Sequence, residues 1–287
     1  MDNLLQVIRD NAIDYNKIIN EADVVMNDKD AYIRVIVGVR GRKEFIEPTI
    51  NSLNQGGRMV SVTVVECDTR LQHKKRCINL GANYIGIKTR HGEQYSRSLA
   101  FNVGVILSGH CEWLLTHDID CMVKDNFFSN LLKNAHRKSS YALQSFNKRR
   151  VLYCTDQLSK LIIRRKISVN ELEEGSEGIF TCKGKAPGGS IFITRDLFFD
   201  IGGYDPELFY GYAPEDRFFW NKMETCTTVG SANNPVTDIF HLHHEPMMNT
   251  NPDLNRMIQI ADRFGGLNHI EKQNIIKYKQ ELLESWR

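Results

Sequence analysis

The sequence predicts an α/β fold in a single domain, an open and mostly parallel sheet flanked by helices. Three observations predict it. Short β-branched runs alternate with segments of helical spacing along the N-terminal third. Two aspartates, Asp118 and Asp120, follow a further apolar run, where the ligands of such sheets gather, beyond the carboxyl ends of the strands. No internal repeat or low-complexity linker divides the chain.

Taken in order, Arg34 to Val39 (RVIVGV) opens the sheet, and Val62 to Cys67 (VTVVEC) and Tyr84 to Lys88 (YIGIK) repeat its pattern. Such short apolar runs read as buried parallel strands. Between them Glu44 to Gln55 and Leu71 to Leu80 carry helical spacing, with Gly81 at a C-cap position. The result is β-α-β-α-β with right-handed crossovers. A helix from Ser96 to Leu107 then leads into the strand Glu112 to Thr116, which delivers His117-Asp118-Ile119-Asp120 at its carboxyl end. The polar stretch 148–185 holds the basic runs Lys148-Arg149-Arg150 and Arg164-Arg165-Lys166 and the acidic ELEEGSEG, and no structure is predicted for it. Order returns at Ala186-Pro187-Gly188-Gly189 before the strand SIFITR. Next come a helix from Asp196, the turn Gly202-Gly203-Tyr204-Asp205, a helix from Glu215 and an amphipathic C-terminal helix, Ile270 to Trp286.

The composition, 41% hydrophobic and 25% charged over 287 residues, is that of a globular protein. Lys and Arg number 37 against 35 Asp and Glu, a balance that neither implies nor excludes a nucleic-acid acceptor and offers no field for an anionic membrane. No run approaches the length of a membrane span, and the N-terminus lacks the order of a signal peptide. The seven cysteines (67, 77, 111, 121, 154, 182, 226) are scattered without a Cys-x-x-Cys pair and read as reduced thiols, so the expected location is cytoplasmic.

Two carboxylates one residue apart at a strand end suit a hard divalent cation that also binds a diphosphate. Asp118 and Asp120 fit that role, although Asp-x-Asp alone more often marks a solvated turn. Near the end of the sheet His241-Leu242-His243-His244-Glu245-Pro246 supplies imidazoles. In an extended segment His241 and His243 share a face and one of them completes an Asp/His metal set, for which Mn²⁺ is favoured over Mg²⁺. The competing reading is of surface or core-edge histidines. Glu215 and Asp216 precede a helical pattern, so helix capping alone accounts for them, and a general base is the functional alternative. Gly38, Val39, Arg40 and Arg42 after the first strand, and Arg97 at the head of a helix, offer small backbone and bidentate donors suited to a diphosphate. Neither segment has the spacing of a P-loop or a dinucleotide-binding Gly-x-Gly-x-x-Gly.

In collinear order these segments resemble the catalytic domain of the β-1,4-galactosyltransferases and the related bacterial chondroitin-polymerase type of inverting GT-A glycosyltransferases, with a Rossmann-like sheet. VGVRGR resembles the family's uridine-diphosphate loop, SRSLAFNVG its Asn-Arg-Ala-x-x-Leu-Asn-Val-Gly helix and THDID its metal motif. APGGSIFITRDLFFDIGGYDPELFYGYAPED resembles the long acceptor segment, and HLHHEP the closing histidine. The match spans about residues 34 to 262. It implies a UDP-sugar donor, a Mn²⁺ (or Mg²⁺) ion, and a glycan or other hydroxyl-bearing acceptor. Asp120 and His243 become metal ligands, with Asp118 and His241 beside them; Asp216 becomes the base and Glu215 positions a sugar. Gly38, Val39, Arg40, Arg42, Asp68, Arg97, Asp118, Gly188, Gly189 and Tyr212 form the donor-binding set.

Two departures stand out. Gly-Trp-Gly-x before Glu-Asp is here Gly-Tyr-Ala-Pro, so Tyr212 replaces a sugar-contacting tryptophan and Pro214 stiffens the entry to the next helix. The proline of the first loop is Gly38. The expected organisation is an N-terminal helical extension (1–30), a glycosyltransferase domain (31–262, with a nucleotide-sugar half 31–121 and an acceptor half 122–262) and a C-terminal helix (263–287). The rival readings are a sugar-phosphate nucleotidyltransferase, whose glycine-rich N-terminal signature is lacking, and a non-catalytic nucleotide-sugar or glycan-binding module, which has no need of a base.

Overall fold

A computed structural model describes residues 3–28, 30–135, 142–144, 151–181, 188–227, 230–231, 238–245 and 251–287. Lys148-Arg149-Arg150, Cys182, Ala186-Pro187 and Pro246 lie outside the described residues. The strands are β1 (Asp23–Val25), β2 (Asp30–Val39), β3 (Val60–Asp68), β4 (Asn83–Lys88), β5 (His110–Asp118), β6 (Cys121–Val123), β7 (Ala142–Gln144), β8 (Val151–Cys154), β9 (Ile179–Thr181), β10 (Ser190–Thr194), β11 (Gly230–Ser231) and β12 (Ile239–His241). The α-helices are α1 (Leu4–Asp10), α2 (Tyr15–Glu21), α3 (Lys43–Leu53), α4 (Lys74–Asn79), α5 (Arg97–Leu107), α6 (Phe127–Ala135), α7 (Asp156–Ile163), α8 (Arg195–Asp200), α9 (Glu215–Cys226), α10 (Leu254–Gly266) and α11 (His269–Leu283).

Among the described residues these strands form two sheets. The larger runs β1-β4-β3-β2-β5-β10-β7-β11, and the smaller β6-β12-β8-β9. In the larger sheet β4, β3, β2 and β5 are parallel, in the order that right-handed β-α-β units produce, and β10 turns antiparallel against β5. The α/β fold with a mostly parallel central sheet is as the sequence predicts. Ile33, Val35 and Val37 pack on one face and Ile36 on the other, so β2 is covered on both sides. Helix α5 lies close on the second face because Gly104 has no side chain: a Cβ there would run into Ile36 and come within 2.9 Å of Val65.

The predicted helices end within a few residues of the observed ones, and their caps explain where they start. Ser96 accepts from Leu99 N–H to begin α5, Thr194 from Leu197 N–H to begin α8, and Asn268 forms a capping box with Glu271 at α11. Arg195, read as the end of a strand, is therefore the first residue of α8. The stretch 148–185, for which the sequence predicts no structure, contributes β8, α7 and β9 to the smaller sheet and its covering layer. Residues 23–25 join the larger sheet as β1, antiparallel to β4. No helix among the described residues is long and apolar enough to cross a membrane. Cys67, Cys77, Cys111, Cys121 and Cys154 are buried free thiols, and Cys226 is an exposed one.

Candidate active site

The carboxyl ends of β2, β3 and β5 lie side by side, with Gly38 in register with Asp118 and with Val65. β5 ends in Asp118, and the turn to β6 carries Asp120, which is buried. Three hydrogen bonds hold that turn: Asp118 N–H to the Gly189 carbonyl (2.8 Å), Leu242 N–H to the Asp120 carbonyl (2.8 Å) and the Thr49 hydroxyl to the Ile119 carbonyl (2.6 Å). His117 is structural. It donates from Nε2 to the Cys121 carbonyl (3.0 Å), pairs through Nδ1 with the Ser190 hydroxyl (2.7 Å), and burial lowers its pKa.

Asp120 gathers groups that could ligate a metal ion. His241 Nε2 lies 3.7 Å from Asp120 Oδ1 and His244 Nε2 lies 3.1 Å from Oδ2, and the potential ligand atoms of these three residues fall within 4.8 Å of one another. Asp118, Asp120 and Cys121 form a second such group. His243, expected beside Asp120, is not in either: its side chain is exposed and its backbone N–H donates to Ser159 Oγ at 2.8 Å. The reason is that β12 stops at His241, so the period-two alternation does not continue, and the turn after it brings His244 round instead. Burial lowers the pKa of His241 to about 4, assisted by the charge of His244, and burial also lowers that of His244. Both rings are thus neutral near pH 7. His244 Nδ1 faces the Glu245 carbonyl at 2.8 Å and carries the proton there, which leaves a lone pair on Nε2 directed at a carboxylate oxygen. Two such acceptors repel unless a cation lies at hand. Arg42 supplies one, with Nη1 on Asp120 Oδ2.

Arg97, at the head of α5, faces three carboxylates. Its Nη1 meets Asp118 Oδ1 (2.5 Å), its Nε meets Glu215 Oε1 (2.9 Å) and its Nη2 meets Asp216 Oδ2. The sequence assigns Arg97 to a diphosphate, whereas here each of its donor nitrogens serves the chain's own acids. Burial raises the pKa of Glu215 to about 8 against the lowering effect of Arg97, and burial also raises that of Asp216. Glu215 Oε2 is buried without a hydrogen-bond partner among the described residues. Gly188 passes close to this cluster, since a Cβ on it would collide with the Asp216 carboxylate, and Gly189 has φ +87°.

Arg40 and Asp68 meet at the ends of β2 and β3 (Nε to Oδ1, 3.8 Å), and Arg40 Nη1 also donates to the Glu93 carbonyl (2.7 Å). Gly41 and Arg42 both adopt positive φ, which turns the chain sharply into α3. Val39 is buried and holds the loop from below. Tyr212 is 44% exposed on the loop before α9.

Residues that carry no motif of their own hold these groups in place. Asn102 on α5 pins Tyr204, accepting from its N–H (2.8 Å) and donating to its carbonyl (3.0 Å). Tyr204 stacks on Phe219 of α9 (4.0 Å between ring centroids) and pairs with the Thr116 hydroxyl of β5 (3.0 Å), so strand and helix are fixed to each other. A buried Asn within an apolar helix was the available signal.

No protein-family model matches this sequence, and neither does any curated protein sequence. Solved structures do. Residues 1–349 of TarS from S. aureus, solved with UDP-GlcNAc, superpose with a TM-score of 0.55 at 14% identity over 88% of this chain and 73% of that one. Glucosyl-3-phosphoglycerate synthase from Mycobacterium tuberculosis, solved with Mn²⁺, uridine diphosphate and phosphoglyceric acid, gives 0.53 at 13% identity over 83% and 80%. The catalytic domain of Drosophila β1,4-galactosyltransferase 7 with xylobiose gives 0.48 at 14% identity over 81% and 80%. The chain has the GT-A glycosyltransferase fold.

Proposed function

We propose that this chain is an inverting, divalent-metal-dependent glycosyltransferase that moves a hexose or N-acetylhexosamine from a UDP-sugar to a hydroxyl of its acceptor. One observation carries the reading. At the strand ends of a GT-A fold, Arg42 pairs with the Asp/His cluster around Asp120, while Arg97 joins Asp118 of the same Asp-x-Asp to the acid pair of buried Glu215 and partly buried Asp216. The donor set of one carboxylate and two neutral imidazoles fits Mn²⁺ better than Mg²⁺, with Asp120, His241 and His244 as its holders and Asp118 adjacent. Bound there, the ion would neutralise charge developing on the departing diphosphate.

The remaining roles fall to the chain's own groups. Arg40 and Arg42 bind the nucleotide's phosphates, and Arg97 fixes the orientation of Asp118, Glu215 and Asp216. Asp216 accepts the proton of the attacking hydroxyl on Oδ1, the oxygen not turned to Arg97. The acceptor oxygen bonds to the anomeric carbon as its bond to the diphosphate breaks on the opposite face, and UDP leaves. Burial makes Asp216 a stronger base than an ordinary aspartate. Glu215 Oε2 receives a substrate hydroxyl. Gly188 and Gly189 let donor and acceptor lie against the backbone. The buried free thiols suit the reducing cytoplasm.

A panel of UDP-sugars, assayed for Mn²⁺-dependent donor hydrolysis and transfer, tests the reading. Asp216→Asn is expected to lose about 10²–10⁴-fold in turnover while keeping donor affinity. Turnover equal to the parent's would remove Asp216 from the role of base, and no Mn²⁺-dependent binding of any UDP-sugar would remove the transferase.

A further inference from the structure

Two successive residues after β2, Gly41 and Arg42, hold the left-handed conformation, with φ +61° and +47°. Glycine takes it freely, but a residue with a side chain does so only where its surroundings impose it. The Arg42 side chain makes no capping bond of its own at the start of α3. What holds the turn comes from the neighbouring strand and helix. His73, 5% exposed and immediately before α4, donates from Nε2 to the Gly41 carbonyl (3.1 Å). Glu66 of β3, fully buried, fixes His73 in turn. Its Oε2 accepts the His73 N–H (3.1 Å) and the Tyr84 hydroxyl (2.6 Å), and its Oε1 accepts the Gln72 N–H (2.9 Å) and lies 3.8 Å from His73 Nε2. A buried carboxylate with three donors thus anchors a histidine, and the histidine anchors one carbonyl.

We propose that His73, held by Glu66, is a positioning residue for Arg42: its bond to Gly41 fixes the turn that sends the Arg42 guanidinium to Asp120 and, in the transferase reading on which this rests, to the nucleotide's phosphates. The Gly41 carbonyl belongs to the planar peptide that joins Gly41 to Arg42, so holding that oxygen sets ψ of Gly41 and φ of Arg42 together. Without the bond, Arg42 relaxes toward the right-handed or extended regions that its side chain prefers, and the guanidinium swings away from Asp120. His73 itself touches neither the Asp/His cluster nor the acid pair, and acts on the centre through Arg42. A histidine that merely tied α4 to the loop would stabilise the fold and leave the affinity of Asp120 for a cation as it is.

The test removes the donor with His73→Met and titrates the variant with Mn²⁺ alone, then with UDP in the presence of Mn²⁺. Because Arg42 lets go of Asp120, Mn²⁺ alone is expected to bind about fivefold more tightly, and UDP with Mn²⁺ about fivefold more weakly, the scale of one hydrogen bond. His73→Gln, whose amide nitrogen can stand where Nε2 does, should restore both. In an Arg42→Ala background His73→Met should change neither affinity by more than about twofold. The assignment is overturned if His73→Met leaves Mn²⁺ binding unchanged or weaker, or if its effect on UDP persists without Arg42. Should His73→Met not fold, the imidazole nitrogens of the unmodified protein decide by magnetic resonance: a proton on Nε2 is expected, and a ring protonated on Nδ1 alone has no bond to give Gly41 and overturns the assignment. Failure of the parent reading has a different signature, the absence of Mn²⁺-dependent UDP binding in the unmodified protein.

Discussion

Arg42 and Arg97 each occupy one carboxylate of the Asp-x-Asp pair, Arg42 on Asp120 and Arg97 on Asp118. At the proposed metal site a guanidinium and a divalent ion would therefore compete for Asp120 Oδ2. Arg42→Ala is expected to tighten Mn²⁺ binding about tenfold in the absence of nucleotide, measured by electron paramagnetic resonance of free Mn²⁺, and to weaken UDP binding in its presence. A second prediction concerns Glu215, whose pKa burial raises from 4.5 to about 8. The folded state favours its protonated form. The stability this gives is complete below about 4.5 and is lost as the pH rises through about 8. Thermal melting of Glu215→Gln should therefore fall less steeply with pH across that window than melting of the parent; parallel curves would show that Glu215 is not protonated in the fold.

Elements decide which side chains reach the centre. β12 ends at His241, and that one boundary moves the second imidazole from His243 to His244. His244→Ala is expected to lower Mn²⁺ affinity at least about tenfold, the scale of losing a metal-site group, and His243→Ala to leave it unchanged in the same titration; the reverse result would reinstate the alternating pattern. The sequence was most legible where elements were long. The β-branched runs of β2 and β3, and Ser96 before α5, identify strands and a helix start, and the Asp-x-Asp at the end of β5 marks the candidate centre. Strands of three residues, such as β6, β9 and β12, are too short to display an alternation, and their pairing comes from neighbours remote in sequence. The same remoteness concealed the triple pairing of Arg97, whose partners lie on β5 and α9.

At the scale of the molecule, the terminal helices are tied to the acid pair's helix through buried charges. Lys222 of α9 meets Asp205 (2.5 Å) and the Gly203 carbonyl (2.5 Å), while Lys279 of α11 pairs with Glu207 and lies 3.8 Å from Asp205. Tyr15 of α2 joins them through Asn102 (2.6 Å). Burial lowers the pKa of Lys222; at Lys279 burial also acts to lower it, but Glu207 and Asp205 together raise it. Removing one partner of such a group strands the others without water. Lys279→Ala is expected to cost about 3–5 kcal/mol of stability, read from urea denaturation, whereas a loss below about 1 kcal/mol would mean that the pairs behave as surface ones.

The partner of Glu207 lies in α11, a helix synthesised after every group of the candidate centre. During translation the loop from Gly202 to Pro214 is made with its acids still hydrated, and it has no counter-charge from α11 until that helix has left the ribosome. The helix α9 that bears Glu215 and Asp216 is thus secured late, by charges on a segment made after it.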